Sequence, residues 1–116
     1  GRVTLMDPHG GPPTTVWRPH TVTHFPRSRW ALVYWDDACM LYLRRSGPDQ
    51  DLIATHEVRD VYPASADYQV EAIRSGLADP RRCLAELEAK MREDPDCVRA
   101  RALYERVVSE LGFAQR

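Results

Sequence analysis

Two six-residue apolar runs, Trp30 to Trp35 and Ala38 to Leu43, stand either side of Asp36 and Asp37 and are closed by Arg44 and Arg45. Paired runs of this length, rich in aromatic and large aliphatic residues around a short polar break, predict a β-hairpin. With Asp36 and Asp37 as a two-residue loop, Trp35 pairs with Ala38, Tyr34 with Cys39, Val33 with Met40, Leu32 with Leu41, Ala31 with Tyr42 and Trp30 with Leu43. Trp30, Leu32 and Tyr34 then share one face, and Ala31, Val33 and Trp35 the other. Both faces are apolar, so the hairpin is expected to be covered on both sides.

The chain around it reads as one domain, residues 1–116, of the α+β class. Its expected form is a small antiparallel sheet of three or four strands packed against three C-terminal helices. Residues 1–29 form an irregular N-terminal segment, in which Val3 and Leu5 mark a short edge strand. The run Pro8 to Pro13 is a turn-rich break, and a short strand is expected near Thr21 to Phe25. Residues 30–62 form a β-meander whose third strand, Leu52 to Tyr62, alternates Leu52, Ala54, His56 and Val58 against Ile53, Thr55, Glu57 and Arg59. Pro63 ends it.

From residue 64 to 113 the period becomes helical. Ser65 caps a helix running to about Leu77, and Asp79-Pro80 opens a second through Arg92 with Cys83, Leu84, Leu87 and Met91 on its apolar side. Asp94-Pro95 repeats that device for a third helix, which Gly112 ends. The offsets of Cys83, Leu87, Met91 and Asp94-Pro95 resemble the second helix of a tetratricopeptide repeat, with Lys90 where a small residue is usual.

Composition narrows the chemistry. Hydrophobic residues make up 43% and charged residues 28%, a globular balance. A net charge of −1 gives no general electrostatic footprint for nucleic acid. Among the basic residues there are fifteen Arg and one Lys, Lys90, a bias of high-GC genomes that leaves little scope for a lysine nucleophile. Cys39, Cys83 and Cys97 belong to no C-x-x-C motif and read as small buried residues. Cys83 and Cys97 begin successive antiparallel helices, roughly 15 Å apart, and are expected to stay unbridged. No signal peptide and no membrane-length apolar run is present, while a first residue other than Met fits a piece of a longer protein.

Asp36 and Asp37 read as turn residues. His9, His20, His24 and His56 lack metal-ligand spacing unless 20–24 is helical, and no cofactor motif, phosphate loop or framed nucleophile appears. The strongest local charge feature is Arg18, Arg27 and Arg29, with Arg44 and Arg45 across the hairpin and Trp17 beside them. The first 50 residues carry six Arg against four Asp, and the remainder ten basic against thirteen acidic residues. This basic rim is the expected ligand or partner surface, suited to acidic head groups or a phosphorylated lipid.

The segments Trp30 to Asp37 (WALVYWDD), Tyr42 to Arg45 (YLRR), Leu52 to Val58 (LIATHEV) and Pro63 resemble the soluble C-terminal region of bacterial polytopic membrane proteins similar to lipid-linked-sugar glycosyltransferases. The resemblance covers Trp30 to Leu111 and transfers no catalytic residue. It implies a non-catalytic accessory or protein-interaction domain of a membrane-associated protein. The implied partners are a protein or the parent membrane domain, and an anionic lipid-linked ligand. Two alternatives remain open: a stand-alone tetratricopeptide-type adaptor, and an enzyme in which the Arg cluster converges with His20 or His24.

Overall fold

The computed structural model describes the backbone of Arg2–Leu5 and Thr14–Trp17, and both backbone and side chains over residues 19–112. The architecture is mixed α+β, with two separate two-stranded antiparallel sheets among the described residues. Strand β1 (Arg2–Leu5) is the expected N-terminal strand. It pairs with β2 (Thr14–Trp17), Arg2 opposite Trp17, rather than joining the central hairpin. The Pro8 to Pro13 break lies outside the described residues.

The strand expected near Thr21 to Phe25 is instead a single helical turn, α1 (His20–His24). Pro19 sets φ at −59° immediately before it, and the Phe25 N–H closes the turn on the Thr21 carbonyl at 2.9 Å. Bracketing by Pro19 and Pro26 overrides the β preference of Thr21, Val22 and Thr23.

The hairpin forms, as β3 (Trp30–Trp35) and β4 (Met40–Arg44), but its register differs from the expected one. Trp30 faces Arg44, Ala31 faces Leu43, Leu32 faces Tyr42, Tyr34 faces Leu41 and Trp35 faces Met40, with a bulge between Leu32 and Tyr34. The loop is longer than two residues, because the Asp36 N–H bonds the Cys39 carbonyl at 2.9 Å. Asp36 has no glycine to help it make a two-residue turn, so its carboxylate shapes a wider one, accepting from the Ala38 and Cys39 N–H groups at 2.8 Å each. Ala31 and Leu32 are adjacent and both fully buried, so the base of the hairpin is covered on both faces. Its tip is not: the cross-strand pair Tyr34 and Leu41 is 39% and 52% exposed.

The expected third strand is a correction. Its first half is helix α2 (Gln50–His56). Gln50, Leu52 and Ala54 favour a helix after Asp49, and only Ile53 is buried, where a strand would have buried Leu52, Ala54 and His56 together. The second half is an extended arm, residues 57–62, that keeps one ladder bond to the hairpin, from the Val58 N–H to the Leu32 carbonyl at 2.7 Å.

The C-terminal helices follow the sequence closely. They are α3 (Ala66–Arg74), α4 (Pro80–Glu93) and α5 (Val98–Leu111). Ser65 accepts from the Tyr68 N–H at 3.1 Å, and Asp79 from the Arg81 N–H at 2.8 Å ahead of Pro80. Gly112 ends α5 at φ 73°, the left-handed conformation that glycine adopts without strain. Asp94-Pro95 departs from expectation, since Asp94 terminates α4 and Cys97 stands at the α5 N-cap without a side-chain cap bond. The first amides of α5 are satisfied from far away: the Asp37 carboxylate accepts from Val98 at 2.9 Å and Arg99 at 2.7 Å.

One core joins these parts. Leu32 and Trp35 from β3 meet Val61 and Tyr62 from the arm, Ala72 and Ile73 from α3, Leu87 from α4, and Leu103 and Val107 from α5. Each fully buried aliphatic side chain there contributes roughly 1.5–3 kcal/mol. No described helix is long and apolar enough to cross a membrane.

Candidate functional site

The arm between α2 and α3 decides what most of the arginine cluster does. Asp60 to Pro63 are buried, so their peptide groups must find partners inside the protein. Arg27 supplies one, donating to the Val61 carbonyl at 2.7 Å, and it also donates to the carbonyls of Val58 at 3.1 Å and Arg59 at 3.3 Å just before them, with its guanidinium 4.2 Å from the Tyr62 ring centre. Gln69 brackets the same arm, accepting from the Tyr62 N–H at 2.6 Å and donating to the Asp60 carbonyl at 2.9 Å. Glu86 accepts from the Arg59 and Asp60 N–H groups at 2.8 Å each. Burial pushes the Glu86 carboxyl above its ordinary pKa, while these two amides pull the other way. Asp60 in turn accepts from the Asp79 N–H at 2.8 Å and from Arg82 at 3.0 Å.

Arg27 is therefore a clamp, and so is Arg45. Arg45 donates to the Arg27 carbonyl at 2.6 Å and ion-pairs with Glu57, whose carboxyl it holds below the ordinary range. Trp17 contributes backbone to β2, but its side chain, like all of Arg18, lies outside the described residues.

Arg29 and Arg44 are different. Both are exposed, and neither has a carboxylate partner among the described residues. With Ser28, Trp30, Arg45 and Ser46 they line a cleft of about 410 Å³ at the open end of the hairpin. Arg44 lies over the Trp30 ring at 4.9 Å, a cation–π contact that orients the guanidinium, and the Arg45 N–H to Arg29 carbonyl bond at 2.9 Å holds the two rims together. Among the described residues the walls carry three guanidinium groups, two hydroxyls and no carboxylate. Such a donor set suits a multivalent oxyanion, because guanidinium N–H groups match phosphate oxygens in a bidentate fork.

Among the described residues no histidine joins this cleft. His20 and His24 face each other on α1 with ring centres 5.7 Å apart, and His56 ends α2 beside a second cleft. No group of three or more His, Cys, Asp or Glu side chains arranged for a metal occurs among the described residues. The thiols are free; Cys83 and Cys97 are buried as expected, whereas Cys39, beside the wide hairpin turn, is exposed, and partial desolvation raises the pKa of all three, Cys83 to about 12. A thiol held protonated is a weak nucleophile at neutral pH.

The second cleft, about 290 Å³ between β3, α2 and α4, holds a residue whose role the sequence pattern did not suggest. Lys90 is only 7% exposed, with its ammonium 4.3 Å from the Tyr34 ring centre, 5.5 Å from Trp35 and 3.6 Å from Glu93. Its place in a helical repeat pattern implied a small side chain. A long one fits because its stem covers apolar surface while two hairpin aromatics receive the charge.

Comparison with family models, with curated proteins and with solved structures finds no match for this chain.

Proposed function

We propose that this chain is a non-catalytic accessory module of a membrane-associated protein, and that its arginine-rimmed cleft receives a phosphate-bearing, lipid-linked group. The observation that carries the reading is the contrast within the cluster. Arg27 and Arg45 are committed to backbone and Glu57, whereas Arg29 and Arg44 face the cleft beside Ser28 and Ser46 with no carboxylate partner among the described residues. Unpaired guanidinium groups around an aromatic wall provide charge-assisted donors for phosphate oxygens and apolar surface for whatever the phosphate is attached to.

Titration calorimetry of the chain with inorganic pyrophosphate, and sedimentation with vesicles containing a phosphorylated lipid, tests this. Binding that weakens roughly tenfold in Arg29→Ala and in Arg44→Ala, and that falls with added salt, is expected. Binding unchanged in both variants removes the cleft from the reading. Turnover of a glycosyl donor by the chain alone overturns the non-catalytic part.

A further inference from the structure

The outer edge of β4 carries an inference independent of the cleft's ligand. Backbone groups of an antiparallel strand alternate between facing the partner strand and facing away from it. The Arg45 N–H bonds the Arg29 carbonyl and the Asp36 N–H bonds the Cys39 carbonyl, which places Leu41 and Leu43 on the β3 side of the alternation. Met40, Tyr42 and Arg44 therefore direct their N–H and C=O groups outward. The same alternation turns Leu32 away from β4, which is where its carbonyl accepts from Val58. Strand β4 ends the two-stranded sheet, and among the described residues only the Arg44 carbonyl on that edge has a backbone partner, the Gly47 N–H at 3.0 Å.

Unpaired edges are templates for another strand, and proteins usually block them with lysine, proline or a bulge on the edge strand itself. Strand β4 has no lysine or proline, and the bulge sits on β3. We infer that β4 pairs with β4 of a second copy, antiparallel and centred on Tyr42, joining two hairpins into one four-stranded sheet.

The register is self-complementary. Tyr42 exchanges both backbone bonds with Tyr42 of the second copy, and Met40 lies opposite Arg44. Leu41, half exposed in the single chain, meets Leu43 across the seam. Charge favours the same direction: antiparallel pairing carries the acidic turn at Asp36 and Asp37 of one copy toward the Arg44–Arg45 end of the other, at both ends of the seam. A parallel arrangement would place arginine beside arginine.

Hydrogen exchange of the 116-residue chain across a concentration series, read beside sedimentation equilibrium, tests the inference. The expected result is a mass rising to twice 13.3 kDa, with the amides of Met40, Tyr42 and Arg44 gaining roughly tenfold or more in protection. Leu41 and Leu43, already bonded to β3, stay protected at every concentration. Leu41→Lys, an exposed change of the kind that blocks natural edges, is expected to remain monomeric with an unchanged circular dichroism spectrum. A chain monomeric throughout, a dimer in which those three amides exchange as in the monomer, or a Leu41→Lys variant that still dimerises overturns the inference. Should that variant fail to fold, the wild-type exchange pattern decides alone.

Discussion

The helical half of the molecule and the hairpin half are held together by different kinds of bond. Helices α3 and α4 carry their own start signals, Ser65 and Asp79, each satisfying amides two or three residues away. The hairpin half relies on side chains that reach across the chain: Arg27 to the arm at residues 58–61, Glu86 back to residues 59 and 60, and Asp37 to the first amides of α5. Local bonds define elements; crossing bonds define how elements meet. In this protein the crossing bonds from Arg27 and Glu86 converge on an arm that has no regular secondary structure at all.

That contrast can be broken most directly in the shared core. Leu87→Ala in α4 and Leu32→Ala in β3 remove fully buried side chains, and each is expected to cost about 2–5 kcal/mol in a single denaturant transition. Two separate transitions would show that the halves are independent units rather than one.

Gln69→Ala sharpens the comparison further, because Gln69 sits on a helix yet serves the arm. It leaves the Tyr62 N–H and the Asp60 carbonyl buried without partners, an expected loss of about 3 kcal/mol measured as a shift in the urea midpoint. Ser65→Ala removes a cap of the local kind, and about 1 kcal/mol is expected by the same measurement. Arg106→Ala breaks ion pairs to Asp67 and Glu110 on the exposed helical surface, and a change within about 0.5 kcal/mol is expected.

Acid probes the crossing bonds at the hairpin turn. The Ala38 N–H, the Tyr34 hydroxyl and the Cys39 N–H hold the Asp36 carboxyl at about 2, below its ordinary 3.8. The Arg99 and Val98 amides likewise depress Asp37. Both folded values lie below the unfolded ones, so the stabilisation from each carboxylate is present above its unfolded pKa and lost as pH falls through its folded one, for Asp36 between 3.8 and about 2. Protection of the Val98 and Arg99 amides, relative to intrinsic exchange at each pH, is expected to fall as Asp37 becomes protonated, and Asp37→Ala to show the lowered protection already at neutral pH. The global midpoint moves least in this variant if α5 frays only at its first turn.

The same contrast explains what could be read from the residues alone. The mixed α+β class, the two runs of the hairpin, and the caps at Ser65 and Asp79 were legible because each is written within a few positions. The third strand was not: Leu52 to Val58 alternates well enough for a strand, and only tertiary burial of Ile53 rather than Leu52 selects the helix. The hairpin register slipped because the bulge near Val33 and the wider turn leave no mark in composition. At the site, Arg27, Arg29, Arg44 and Arg45 all lie near the hairpin base, but sequence proximity could not separate Arg27 and Arg45, which serve the fold, from Arg29 and Arg44, which face the cleft. That division depends on where residues 57–61 run. The Asp94-Pro95 repeat misled for a similar reason, since α5 takes its cap from a residue sixty positions earlier.

The reach of Asp37 to α5 bears on how the molecule is made. As the polypeptide leaves the ribosome, the ribbon emerges well before the helix whose amides its turn must bind, and Leu103 and Val107, which help seal the interior around Leu32, come later still. The ribbon's inner face thus stays wet until nearly all of the chain described here has been synthesised.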